Sequence, residues 1–103
     1  MSRPFSYNDE NFTVIGNILF CHIKLNKDLN DNDNIIEIPP ALYYRICQKT
    51  IMFNFLRQRG SEDIDSYTRV TYISEENGKY YIKIFHGTVG TFFITSYVIL
   101  KDI

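Results

Sequence analysis

Residues 67–85 read YTRVTYISEENGKYYIKIF, and this stretch decides the fold. On either side of Glu75-Glu76-Asn77-Gly78 lie two segments, 67–74 and 79–85, in which β-branched and aromatic residues alternate with polar ones. A period of two puts every second side chain on the same face of an extended strand. Asn77-Gly78 is the pair that a two-residue hairpin asks for, because the primed turn needs positive φ at both central positions. An antiparallel hairpin is expected here, and other strands must join it, since a lone hairpin is marginal in water.

Towards the C-terminus, His86-Gly87-Thr88-Val89-Gly90 is a glycine-punctuated turn. It leads into TFFITSYVIL at 91–100, a last strand with so little polarity that cover on both faces is expected. Towards the N-terminus, residues 58–66 read as a polar connection. Before it, Ala41–Arg59 admits two readings. A helix after Pro40 would align Leu42, Ile46, Phe53 and Leu56, with Lys49 and Thr50 interrupting the stripe. A strand would put Ile51, Phe53 and Phe55 on one face and Thr50, Met52 and Asn54 on the other. The strand is favoured, and a helix over about 40–58 packed on an antiparallel sheet is kept as the α+β alternative.

Further upstream, Pro39-Pro40 ends a short strand at Ile35–Ile38, because neither proline donates an amide and both fix φ. Residues 26–34, NKDLNDNDN, form a solvated loop of Asn and Asp. In FTVIGNILFCHIKL at 12–25, Gly16-Asn17 marks a bulge or tight turn. After it, Leu19, Cys21, Ile23 and Leu25 alternate with Ile18, Phe20, His22 and Lys24. Residues 1–11 show no period and read as an extended arm. The expectation is mainly β: a small antiparallel β-sandwich of five to six strands, in one domain over 12–103.

Composition narrows the function classes. With 103 residues, 45% hydrophobic and 22% charged, the chain should fold as one globular unit. A net charge of −1 gives no general attraction to phosphate or anionic lipid, so no nucleic-acid partner is expected. No apolar run approaches the roughly twenty residues that span a bilayer, so no membrane insertion is expected. The N-terminus carries no signal-like stretch. Cys21 and Cys47 sit in apolar segments, as buried thiols of a reducing compartment do.

The residues that could carry chemistry do not assemble into a known motif. Asp28, Asn30 and Asn32 imitate the start of a calcium loop, but Asp33 stands where the turn needs Gly, and Pro39 where it needs a bidentate Glu. Starting at Asn26 brings Glu37 to the last ligand position but puts Asp31 at the glycine position. Cys21 and His22 are adjacent and face opposite ways on a strand, so they make no zinc pair. There is no G-x-S-x-G, no H-E-x-x-H and no phosphate loop. Neither an enzyme nor a cofactor is expected. Arg45, Lys49, Arg57 and Arg59 lie among Tyr43, Tyr44, Phe53 and Phe55, as in a single-strand binder, but Glu62, Asp63 and Asp65 balance them. Eight tyrosines suit a binding surface, since Tyr offers rigid amphipathic contact at low entropy cost.

The order of elements, Val14–Phe20 opening at Gly-Asn, Ile35–Pro39, the hairpin Val70–Ile84 and the aromatic Phe92–Tyr97, resembles the receptor-facing head domains of phage tail fibres and baseplate adhesins. The resemblance implies a homotrimeric, non-catalytic head on the virion that recognises a bacterial surface saccharide or protein. The alternative is a small cytoplasmic regulator, viral in origin, that binds a host protein through its acidic loop or a strand edge. In either case binding is expected on the loops at 26–34, 58–66 and 86–90, with Asp31, Asp33, Arg59, Asp63 and His86 the candidate contacts.

Overall fold

The computed structural model describes residues 5–59 and 63–101, without the side chains of Arg59, Asp63, Thr91 and Phe92. Eight strands and one turn of helix follow in the order β1 (Tyr7–Asn8), β2 (Phe12–Ile15), β3 (Ile18–Leu25), β4 (Asn34–Ile38), α1 (Pro40–Tyr43), β5 (Thr50–Arg59), β6 (Asp63–Glu76), β7 (Lys79–Ile84) and β8 (Thr91–Ile99). All eight join one antiparallel sheet in the order β1-β2-β3-β8-β5-β6-β7-β4.

The Asn77-Gly78 hairpin is present as the sequence predicts. Asn77 and Gly78 have φ of 53° and 81°, and Glu76 pairs with Lys79 across the turn. The strand reading of 50–55 also holds: Ile51, Phe53 and Phe55 are buried, while Met52 and Asn54 are exposed. The α+β alternative is overturned, because the helix ends at Tyr43 after one turn started by Pro40.

The mainly β class therefore stands, whereas the sandwich of five to six strands does not. Two strands were missed. Gly16, at φ 64°, turns the chain so sharply that 12–25 is a hairpin of two strands, pairing Ile15 with Ile18. Tyr7–Asn8 of the arm adds a further strand against Val14 and Thr13, and Phe5 and Tyr7 pack on the core. Residues 58–66 are also not a loop throughout: β5 and β6 run on to pair Arg57 with Asp65 and Arg59 with Asp63. Their polarity misled because a strand reaching beyond the core needs no apolar face.

A single sheet can enclose a core only by curling. Its inner face carries Phe12, Leu19, Ile23, Ile38, Phe53, Phe55, Ile82, Ile84, Ile94 and Val98, all nearly inaccessible to solvent. The Arg45 guanidinium, just after α1, lies 3.7 Å from the ring centre of Phe5, which precedes β1. Thr71 is a fully buried polar residue on the inner face, and its hydroxyl donates to the Ile51 carbonyl at 2.8 Å, which removes the cost of burying it. Because the core lies on one side only, β8 is not covered on both faces as its composition suggested. Ile94 and Val98 are buried, but Phe93, Tyr97 and Ile99 point outward and are exposed.

Candidate functional site

The loops singled out by the sequence do meet, at one end of the sheet. Leu29, in the Asn/Asp loop, and Thr88, in the turn after β7, exchange backbone hydrogen bonds of 2.8 and 2.7 Å. Gly87 packs so closely there that a Cβ would collide with the Leu29 carbonyl oxygen. The acidic side chains complete the tie. Asp31 accepts the Gly87 N–H at 2.6 Å and Asp28 accepts the Gly90 N–H at 2.9 Å. Asp33 turns back on its own loop and accepts the Asn30 N–H at 2.8 Å. Carboxylates that accept amide donors in this way act as fixed struts.

The extended end of the β5–β6 hairpin joins the same assembly. Arg57 grips Asp65 with two parallel hydrogen bonds of 3.0 and 2.6 Å, and its third nitrogen reaches the Val89 carbonyl at 3.4 Å. Tyr67, stacked on Phe55, shares a 2.7 Å hydroxyl contact with Thr88. Thus three segments distant in sequence are locked into one rigid end. Of the five candidate contacts, Asp31 and Asp33 are used as struts and His86 is exposed. The side chains of Arg59 and Asp63 lie outside the described residues, though their backbones close the hairpin ladder at this end. Val89, which the sequence reading passed over, is 61% exposed at the tip of the turn. Its flanking glycine at position 90 was the available signal.

Sequence reasoning missed a second feature, the outer face of the sheet. Register pairs Phe20 with Tyr97, Met52 with Val70, and Phe93 with both Lys24 and Leu56. Apart from Lys24, these residues make two apolar bands, separated by a polar row of His22, Thr95, Asn54 and Thr68. Between the bands β5 and β8 part company: they pair only from Asn54 to Gln58 and from Thr91 to Thr95. Beyond that point Ser96 donates its hydroxyl to the Met52 carbonyl at 2.7 Å, and a groove of about 530 Å³ opens over Phe20, Cys21, Met52, Phe53 and Tyr97. Alternation in β3, β5 and β8 gave the faces, but which strands were neighbours could not be read.

A third cluster lies beside α1, where Tyr43 stacks on Tyr80 at 3.6 Å and the Tyr44 and Tyr80 hydroxyls are 3.1 Å apart. The Tyr44 hydroxyl contact, with burial and nearby Glu75, pushes the Tyr80 phenol up to about 12, so it stays neutral. Among the described residues no three His, Cys, Asp or Glu side chains gather as metal ligands would. No described helix is long and apolar enough to cross a membrane. Cys21 is buried, Cys47 is exposed, and both are free thiols. Compared with protein-family models, curated proteins and solved structures, the chain matches none.

Proposed function

We propose that this chain is a non-catalytic binding module that presents the tied end of its sheet, around His86 and Val89, to a macromolecular partner. The observation that carries this reading is the cross-tying of loop 28–33, turn 86–90 and the β5–β6 hairpin by side chains from three separate segments. A surface ordered in advance loses little entropy on binding, so more of its contact energy appears as affinity. The setting that the resemblance implies is a phage fibre or baseplate head meeting a bacterial surface saccharide or protein. A second reading, a regulator that binds a host protein in a reducing compartment, is favoured by the exposed free thiol of Cys47. The strand edges are poor docking sites for it, since β1 has two residues and β4 stops at Pro39.

The test compares capture of the tagged chain by whole bacterial cells with capture of proteins from a host lysate. His86→Ala and Val89→Ala together should weaken the productive interaction at least about ten-fold, as a small cluster of contacts does at an interface, with thermal stability unchanged. Binding that survives both substitutions would reject this surface. Capture only by cells supports the head, and capture only from lysate the regulator.

A further inference from the structure

The outer face of β3, β8, β5 and the first half of β6 is built for burial, and a monomer leaves it in water. Among the described outward positions of β3, β8 and β5, and of β6 from Ile64 to Val70, Lys24 is the one permanently charged side chain. A sheet face meant for solvent normally alternates charged and polar residues outward. Here Tyr97 is 69% exposed, Met52 55% and Ile99 58%, with Phe20, Leu56, Val70 and Phe93 each between 38% and 43%. Across the two bands these side chains expose on the order of 700 Å², close to the roughly 800 Å² that one partner contributes to a stable interface.

The shape of the chain points the same way. Its radius of gyration is 14.4 Å, against about 13 Å for a compact domain of about 100 residues, and its extents are 51 × 30 × 19 Å. One curled sheet with a one-sided core is a thin body with a large face.

We infer that this face packs against a second copy of the same chain in a closed symmetric oligomer. The lack of charge selects that occupant. A foreign partner is chosen and oriented by complementary charges, and this face offers it almost none. A two-fold axis instead brings the side chains beside it near their own copies, so a charge there repels itself and uncharged residues are favoured. Two such faces stack as aligned sheets about 10 Å apart, with side chains interdigitating as in the interior of a β-sandwich. The net charge of −1 adds little repulsion between copies. The tied loop end, at the end of the strands, stays free to bind.

The experiment is light scattering on the full-length chain over a range of concentrations, beside Met52→Lys, Tyr97→Glu and, as a control on the loop end, Val89→Lys. Wild type and V89K should have the mass of two chains. M52K and Y97E should run as folded monomers, with dissociation constants raised at least about 100-fold. A wild-type chain that stays monomeric at high micromolar concentration, or folded M52K and Y97E proteins that keep the oligomeric mass, would overturn the inference. Hydrogen exchange of the wild type needs no variant: concentrating it should slow exchange in β8 and the adjoining parts of β3 and β5. Slowing confined to the edge strands β1 and β4 would also overturn it. A monomer that still binds through His86 and Val89 would leave the proposed function standing without this face.

Discussion

At the scale of single residues, the two cysteines lie in different environments, and that difference can be measured. Burial pushes the Cys21 thiol up to about 12, so it carries no thiolate at neutral pH, whereas Cys47 faces water. Native protein treated with a maleimide should therefore gain one label, on Cys47, and a second only in denaturant, as read by mass spectrometry. Gly87 is the residue with least room. Gly87→Ala drives a Cβ into the Leu29 carbonyl, and backbone on both sides must shift. A loss of about 1–3 kcal/mol is expected, the usual cost of overpacking, measurable by urea unfolding. Asp9 tests the pH dependence. Burial alone would raise its pKa, but the Asn11 and Phe12 amides and the Tyr7 hydroxyl outweigh this and leave it below the ordinary carboxylate value. A depressed folded pKa means stability present at neutral pH and lost as pH falls below about 4. Asp9→Ala should remove less than about 1 kcal/mol of that stability, since the group is exposed, and should flatten the acid limb of the stability profile. Sequence showed that the loop at 26–34 was rich in oxygen ligands but not what they would hold. Asp28 and Asp31 spend theirs on Gly90 and Gly87, about sixty positions away, and a separation of that size leaves no local trace.

At the scale of elements, the β6–β7 hairpin was legible because its instructions are local. Asn77-Gly78 fixes the turn, and alternation on either side fixes the faces. Gly78 sits at φ 81°, so Gly78→Ala should cost about 1–2 kcal/mol, the penalty of a side chain in left-handed backbone. In a domain this small, each kcal/mol lowers the thermal midpoint by roughly 4–8 °C, which calorimetry resolves. The β5–β6 hairpin was half legible. Ile51, Phe53 and Phe55 announce the inner face, but beyond Leu56 the ladder rests on cross-strand polar pairs such as Arg57–Asp65, which look like loop when read along one strand. β1 was illegible, since two residues cannot show a period and Tyr7–Asn8 is a strand only because β2 offers it an edge.

At the scale of the whole molecule, adjacent residues on β5 separate what holds the chain folded from what holds chains together. Phe53 is fully buried and faces the core from the middle of the sheet, while Met52 points the other way into water. Phe53→Ala removes an aromatic ring and leaves a cavity, so it should cost about 3–5 kcal/mol and leave little or no folded chain, whatever its partners. Met52→Lys places a charge where the side chain is already half solvated, so the fold itself should lose no more than about 0.5 kcal/mol. If copies pack through the outer face, however, the wild-type midpoint must rise with protein concentration by mass action, because association stabilises only the folded chain. Calorimetry over a hundred-fold range of concentration should therefore show a rising midpoint for the wild type and a flat one for Met52→Lys, the two converging as dilution approaches the dissociation constant. Flat midpoints for both proteins would mean that the apolar outer face contributes nothing to stability in solution, and that the inner core alone carries the fold.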